Sequence, residues 1–231
     1  MPNTAASYLE LVDWRRRVAV LFAEWRTAAA TDREGATSAF RESRDRLFAD
    51  HPQSPLKPAD RSRFSGLTYW PYDPAYRMNV KLLPVEDDAG PHGDEGSTPA
   101  TALSIALPSS VPEPIAFRRI GAVELQGPLA GARLSVFWIQ GYGGGIFLPF
   151  RDATSGQQTY GAGRYLLDTI KSADHGGDPA AGTLLLDFNL AFHPSCAYDP
   201  RWSCPLAPPE NRLSVPVEVG ERLPQKSAVG P

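Results

Sequence analysis

Three stretches of the chain combine polar side chains with glycine or proline more densely than a hydrophobic core requires. They span residues 66–77, 143–165 and 186–212. Tyrosine and arginine recur in the first two and amides follow in the third, which is typical of a concave site that orients a small molecule. The residues that we expect to bind such a ligand are Tyr69, Tyr72, Arg77, Arg151, Tyr160, Arg164, Asn189 and Asn211.

Arg164 is the centre of this predicted site. In an extended segment, the alternation of side chains places Tyr160 and Arg164 on one face of a strand, with a small residue between them. Such a face would form a floor for a planar anion. The alternative is an ion pair of Arg164 with Asp152, Asp187 or Glu210 inside the protein, because a buried charge needs a partner.

Two carboxylates are candidates for acid–base chemistry near this arginine. Asp187 shares a strand face with Asn189, and Glu210 directly precedes Asn211. In a hydrolase or lyase that uses no metal, Asp187 or Glu210 would act as acid or base while Arg164 stabilised negative charge. Alternatively, the first pair forms a satisfied buried network, and the second pair holds its loop through hydrogen bonds to the backbone.

Three interpretations stay open for Cys196 and Cys204, the only cysteines of the chain. With His193 they form an H-x2-C-x7-C pattern, but structural zinc prefers four ligands, so we expect no metal. A disulfide would close a small loop, although oxidation is not expected in a cytoplasmic protein. Two reduced, packed cysteines are the favoured interpretation.

The remaining motifs indicate no cofactor and no catalytic histidine. The glycine-rich segments lack the strand–turn–helix context of a dinucleotide fingerprint. His51 lies where a helix should end, before Pro52, and we expect its ring to bond a carbonyl or carboxylate rather than to act as a base.

The composition is that of a folded protein and excludes several classes. The 231 residues include 23 prolines, but also five Trp, eight Tyr and ten Phe beside a net charge of only -3. Such a chain can form a core, which argues against disorder. No apolar run reaches the roughly 20 residues of a membrane helix, and the mildly acidic balance gives no basic footprint for nucleic acid. We expect no signal peptide, because acidic residues stand where its apolar stretch would lie. We expect a cytoplasmic protein that binds neither membrane nor nucleic acid, in an oligomeric state that stays open.

Periodicity divides the chain into a helical part and a β-rich part. Apolar residues recur every three or four positions from Tyr8 to Trp25, and a second helix is predicted to end at His51. Strands are predicted at 77–83, 101–107, 115–125, 134–140, 146–150, 164–168, 183–188 and 213–219, with loops at 86–99 and 174–179. The predicted fold is mainly β (α+β), an antiparallel β-barrel or sandwich. It comprises an N-terminal helical segment packed on the core (1–65), a β-rich domain (66–220) and a flexible tail (221–231).

Several phrases of the sequence resemble the DUF1684 family of bacterial and archaeal proteins of unknown function. LPFRDATSGQQTYGAGRYL and LDFNLAFHPSCAYDPRWSCPLAPPENRL carry the resemblance, and FADHPQSPL and GLTYWPYDPAYR carry it more weakly. It extends from about Trp14 to Glu221. The resemblance implies a β-rich core behind a helical segment, and it implies no substrate and no catalytic residue. The family tends to carry Asn at the place of His193, so it does not support a mechanism based on this histidine.

The sequence thus favours a protein that binds a small anionic or aromatic ligand in a polar pocket around Arg164. The metal-free hydrolase or lyase with Asp187 or Glu210 is the alternative. A structural or protein-interaction role, with the Tyr-Trp-Pro-Tyr segment as its surface, ranks third.

Overall fold

The computed structural model of the chain describes residues 4–84, 104–107 and 115–224. The predicted loop at 86–99 lies outside the described residues. The helices are α1 (Ala5–Ala28), α2 (Arg33–Asp50) and the short α3 (Pro58–Arg61). The strands are β1 (Thr68–Tyr69), β2 (Arg77–Lys81), β3 (Ser104–Leu107), β4 (Ile115–Glu124), β5 (Arg133–Ile139), β6 (Gly145–Phe150), β7 (Arg164–Asp168), β8 (Gly177–Asp178), β9 (Thr183–Asp187) and β10 (Glu221–Arg222).

The two long helices begin and end at residues that suit these positions. Thr4 caps α1 by accepting the backbone N–H of Ser7, and Asp32 caps α2 by accepting that of Gly35. The second helix ends at His51, as predicted, because the following proline disfavours helical geometry there. The His51 ring accepts a backbone N–H through Nδ1 and directs Nε2 to the carboxylate of Asp13, 3.3 Å away. This is the helix-end role expected from the sequence.

The strands form three antiparallel sheets. The largest has the order β3-β4-β5-β6-β7, a second has the order β2-β9-β8, and β1 pairs with β10. One hydrophobic core is shared by the first two sheets, and the Phe150 and Phe188 rings meet there edge to face with centroids 5.3 Å apart. The described strands do not close into a barrel. The mainly β class is confirmed, and of its two predicted forms the sandwich is the one observed.

The helical layer covers the opposite side of these strands through a second hydrophobic cluster. Phe22, Trp25 and Phe40 from the helices pack there with Ala173 and Leu190 of the β-rich part. The helices therefore bury their apolar stripe against the sheet region rather than only against each other. None of the helices in the described part of the chain combines the length and the hydropathy that crossing a bilayer requires.

Two predictions about the end of the chain are wrong. Residues 213–219 form no strand, because the carbonyls of Val217 and Val219 accept hydrogen bonds from an arginine side chain instead of from a neighbouring strand. The predicted flexible tail begins too early, since Glu221 is buried and forms β10 with Arg222. A smaller difference concerns the predicted loop at 174–179, which contains the two-residue strand β8.

Gly121 permits the close approach of the two larger sheets. Leu83, just after β2, exchanges two backbone hydrogen bonds of 2.9 Å with Ala122 of β4. A Cβ added at Gly121 would lie 2.4 Å from the carbonyl oxygen of Leu83, and a backbone atom cannot move aside easily. The pairing of β4 with β5 is also shifted at this position.

We expect Gly121→Ala to destabilise the protein by about 1–3 kcal/mol, because the added methyl group separates the two strands. The free energy of unfolding in urea measures this effect. Gly161→Ala is the matched control, since an added Cβ there meets only ordinary contacts, of 3.6 Å and more. Equal stability of the two variants would contradict the assignment of Gly121 as a site of close approach.

His175 lies under the helical layer as a buried, neutral histidine. Its ring stacks on Phe22 and packs on Trp25, with centroids 5.9 and 5.5 Å apart. Nδ1 accepts the backbone N–H of Asp187 over 3.2 Å, so Nε2 carries the hydrogen, and Nε2 has no hydrogen-bond partner among the described residues. Burial lowers the pKa of His175 to about 3, and two nearby arginines act in the same direction.

This shift predicts a loss of stability on mild acidification. Below the ordinary histidine pKa of 6.5 the His175 ring is protonated in the unfolded chain but stays neutral in the folded chain. The free energy of unfolding therefore falls as the pH falls. From about pH 6.5 to about pH 5 this group removes about 1.5 kcal/mol. We expect His175→Asn, whose amide oxygen can accept the Asp187 N–H without titrating, to lose that part of the pH dependence in urea titrations. A variant with the wild-type pH dependence would sink this assignment.

Candidate functional site

The side chain of Arg164 organises the end of the chain from inside the protein. Its guanidinium is 1% exposed and pairs with Asp152 over 2.6 Å. The terminal nitrogens also donate to the backbone carbonyls of Val217 (2.7 Å), Val219 (2.6 Å) and Glu221 (3.2 Å), while Nε has no hydrogen-bond partner among the described residues. These carbonyls belong to alternate residues, which point to the same side of an extended segment. One arginine thus replaces the strand that a sheet would have supplied.

The surroundings of this ion pair are aromatic on one side and polar on the other. The guanidinium carbon of Arg164 lies 5.4 Å from the ring centroid of Trp70 and 5.1 Å from that of Phe150. Burial lowers the pKa of Arg164, and the charge of Asp152 opposes this effect. The other oxygen of Asp152 accepts the backbone N–H of Thr154 over 2.6 Å. Of the partners considered for Arg164 from the sequence, Asp152 is the one found.

Glu221 forms the second polar centre, next to the first. Its carboxylate is 1% exposed and accepts the Arg44 guanidinium over 2.8 Å and the backbone N–H of His193 over 3.1 Å. The Nδ1 of His193 lies 3.1 Å from the second oxygen, and the hydroxyl of Tyr198 donates to that oxygen as well. The hydroxyl of Tyr69 accepts from Arg44 over 2.8 Å. Helix α2, a proline-rich loop and β10 therefore meet at one carboxylate.

The protonation states in this centre follow from its contacts. Burial by itself would raise the pKa of Glu221, but the charge of Arg44 and the hydrogen bonds of His193 lower it to about 2. The Nε2 of His193 accepts the backbone N–H of Tyr160 over 3.2 Å, so the ring hydrogen is on Nδ1 and points to Glu221. Both ring nitrogens are thereby engaged, and His193 has no lone pair available for a metal or for proton transfer.

Sequence reasoning missed Glu221 and Arg44 for different reasons. Glu221 was assigned to a tail, and its burial depends on the carbonyls held by Arg164, which no local pattern shows. Arg44 did leave a signal, because it lies at helical spacing between Phe40 and Phe48, within the apolar stripe of α2. A charged residue inside such a stripe indicates a buried partner.

Asp187 and Asn189 form a separate, fully buried network. One oxygen of Asp187 accepts Arg77 over 3.0 Å, and the other accepts the backbone and side-chain N–H groups of Asn189 over 3.0 and 2.9 Å. The amide of Asn189 in turn exchanges two hydrogen bonds of 2.8 Å with the backbone of Asp73. Nearby, the buried hydroxyl of Tyr72 has no hydrogen-bond partner among the described residues. The network fixes the turn that enters β2.

The remaining predicted residues lie apart from these centres. Glu210 is about one-third exposed and pairs with Arg119. Asn211 is buried and hydrogen bonds only backbone groups, of Ser135 and Pro149, over 2.7–2.9 Å. Arg151 is half-buried and forms a β-bridge with Arg212. The structure thus joins Tyr69, Tyr160 and Arg164 through Glu221 and joins Arg77 and Asn189 through Asp187, but it does not gather the predicted residues around one pocket.

A cavity of about 80 Å³ lies beside the Glu221 centre, between α1, α2 and β7. Its wall is mainly apolar and includes the aromatic side chains of Trp14, Phe22, Phe40, Phe48, Tyr165 and Phe192. Its polar side chains include Arg44, His193, Asp168 and Lys171. In the described ranges, no three His, Cys, Asp or Glu side chains are grouped as metal ligands. The cavity is therefore a candidate site for a small organic molecule.

Comparison with known proteins places the chain in a family. Residues 62–222 match the family model described as a protein of unknown function, DUF1684. This range contains Arg164, Glu221 and both cysteines, and it covers more than half of the chain. The chain belongs to the DUF1684 family. The resemblance noted in its sequence phrases is confirmed.

A solved relative agrees with the fold of this DUF1684 protein. The solution NMR structure of an uncharacterized protein from Haloarcula marismortui is 31% identical, with a TM-score of 0.55 over 85% of this chain and 97% of that chain. Among curated proteins, no sequence matches the chain. Family membership and fold are therefore shown.

The buried ion pair predicts a large effect of Arg164→Ala. We expect a loss of about 3–5 kcal/mol in the free energy of unfolding, because Asp152 would remain as an unpaired buried charge. Arg119→Ala, which breaks the partly exposed pair with Glu210, should cost less than about 1 kcal/mol. Urea unfolding compares the two. An Arg164→Ala protein of nearly wild-type stability that has lost only stabilisation by ligands would instead support the ligand-binding role first predicted for this residue.

Proposed function

We propose that this DUF1684 protein binds a small molecule in the cavity between α1, α2 and β7. Ligand sites are typically concave and apolar with a few convergent polar groups, and this cavity has that character. Its lining comes from both the helical layer and the sheet, so a ligand there would bridge the two parts of the fold. We also propose a cytoplasmic location, on the sequence grounds given above.

The carboxylate of Asp168 is the observation that carries this proposal. The side chain is 4% exposed, at the end of β7, and lines the cavity. Its Oδ2 lies 3.5 Å from the ammonium of the half-exposed Lys171, while its buried Oδ1 has no hydrogen-bond partner in the described part of the chain. A buried acceptor without a partner costs about 1–3 kcal/mol. A donor on a bound ligand would remove that cost.

The lining and this acceptor define the chemistry of the ligand. An apolar body would contact the aromatic wall, and a primary amine or hydroxyl would donate to Oδ1 of Asp168. A carboxylate in the same place would face a like charge. The volume of about 80 Å³ is roughly half that of an engineered cavity that holds benzene, so only a small body of a few heavy atoms fits inside.

This proposal moves the predicted site by one residue along β7. Side chains alternate along a strand, so Arg164 faces the buried ion pair while Tyr165 faces the cavity. The terminal guanidinium nitrogens of Arg164 are bound to Asp152 and to carbonyls, and only Nε has no hydrogen-bond partner among the described residues. Of the two ligand types expected from the sequence, we therefore keep the aromatic or apolar ligand and not the anionic one.

The alternative of a metal-free hydrolase or lyase has weaker support. Asp187 is bound to Arg77 and Asn189, Glu210 is bound to Arg119, and Arg164 is bound to Asp152. Each candidate acid or base is thus paired separately from the arginine that would stabilise negative charge. Binding at Asp168 is the better-supported function.

The proposal is tested with probes that share one body and differ in one polar group. We expect isobutylamine to raise the unfolding temperature most, isobutanol less, and isobutyrate not at all. At about ten times its Kd, a probe stabilises by about 1.4 kcal/mol, which corresponds to a few degrees for a chain of this length. Asp168→Asn can direct its amide N–H into the cavity. We therefore expect this variant to bind isobutylamine with an affinity at least tenfold lower than that of the wild type.

Asp174→Asn is the matched control, because this half-exposed carboxylate pairs with Arg26 and does not line the cavity. We expect it to bind the amine as the wild type does. Equal stabilisation by the amine and the carboxylate, or an unchanged amine affinity in Asp168→Asn, would overturn the proposal.

A further inference from the structure

Cys196 and Cys204 form a contacting thiol pair that the proposed ligand site does not use. Cys196 lies in the short 3-10 turn Ser195–Ala197, and its backbone N–H donates to the sulfur of Cys204 over 3.3 Å. The two side chains also hydrogen bond each other, and both are present as thiols. The second sulfur is therefore a direct neighbour of the first.

The two sulfurs differ in their hydrogen bonds and in their pKa values. Cys196 receives hydrogen bonds from the Cys204 thiol and from the hydroxyl of Tyr160. These bonds, the first more than the second, lower the pKa of Cys196 to about 6 against the opposing effect of burial. The same interaction raises the pKa of Cys204. Lys171 acts in favour of both thiolates, and Tyr165 is a further titratable group close to the pair.

The more acidic cysteine, Cys196, is also the more exposed one. Cys196 is 7% exposed and Cys204 is 1% exposed. Both cysteines are buried, and Cys196 is the less enclosed of the two. Reactive cysteines are typically acidic, reachable thiols with a second cysteine close by to complete a disulfide.

A metal does not explain this pair. In the H-x2-C-x7-C pattern the third ligand would be His193, but its Nδ1 is engaged by Glu221 and its Nε2 by the backbone N–H of Tyr160. The two cysteines would therefore be the only protein ligands of such a metal.

We propose that Cys196 and Cys204 form an oxidation site at which a hydroperoxide converts the two thiols into a disulfide. The Cys196 thiolate attacks one peroxide oxygen, so that an S–O bond forms, the O–O bond breaks, and the leaving oxygen takes a proton as water or alcohol. The sulfur of Cys204 then attacks the sulfenic acid. The S–S bond forms as the S–O bond breaks, and the thiol proton leaves with the oxygen as water. The two thiols together give two electrons to the peroxide. A dithiol reductant then returns the protein disulfide to two thiols by exchange and is itself oxidised to a disulfide.

The disulfide would act on the surrounding loop. The carbonyl of Pro205, next to Cys204, accepts the hydroxyl of Tyr165, and Ser195, next to Cys196, lines the cavity. Oxidation would also remove the thiolate that accepts the Tyr160 hydroxyl. This inference is independent of the ligand proposed at Asp168.

Hydrogen peroxide in stoichiometric amounts, added to the reduced full-length protein, tests the proposal. We expect the intact mass to fall by two hydrogen atoms, peptide mapping to join Cys196 to Cys204, and dithiothreitol to restore both thiols. In Cys204→Ser the reaction should stop at a sulfenic acid on Cys196 that dimedone captures. In Cys196→Ser the remaining thiol should react at least tenfold more slowly.

Tyr160→Phe keeps both sulfurs and removes one donor to the thiolate, so it separates activation from simple packing. We expect the pH midpoint for alkylation of Cys196 by iodoacetamide, near pH 6 in the wild type, to rise, and the reaction with peroxide to slow several-fold. The inference is overturned if peroxide leaves both thiols intact, if both sulfurs oxidise independently without joining, or if Cys204 is the sulfur that dimedone captures.

Discussion

The hydrogen bonds of the Arg164 guanidinium are the interaction on which the rest of the structure depends. They hold the segment leading to β10 by its carbonyls, and this places the carboxylate of Glu221 in the interior. Arg44 of α2 then binds that carboxylate, so the helical layer is attached to the β-rich part through it. Removing one partner of such buried pairs is expensive, because the other charge cannot be rehydrated without opening the fold.

This arrangement also explains why a chain with 23 prolines is ordered where strands are few. Between His193 and Asn211 the backbone makes no long ladder, and its polar groups are bound by side chains instead. His193 contacts Glu221 through both its backbone and its ring, and the amide of Asn211 binds backbone groups of β5 and β6. Side chains that bind backbone thus replace strand pairing, and proline reduces the entropy that ordering such a segment would cost.

The cavity and the cysteine pair both lie along the border of this region. Tyr165 contacts the cavity with its ring and the carbonyl of Pro205 with its hydroxyl, one residue from Cys204. A structural change at the cavity or at the cysteine pair would therefore affect the other site through the side chain of Tyr165 and the loop next to Cys204. The Asp187 network is built from other residues, and it fixes the entrance to β2.

Local patterns determined the two long helices and the longer strands, and they predict β7 at its observed bounds, because alternation and spacing are properties of neighbouring residues. The phrases around Arg164 and Cys204 also determined the family. Which charges meet was decided only by the tertiary structure. The sequence offered three acidic residues as ion-pair partners for Arg164. It also predicted that Glu221 lies in a flexible tail. Burial and pairing of charges depend on contacts between residues far apart in the chain, such as Arg44 and Glu221, and no local pattern encodes these contacts.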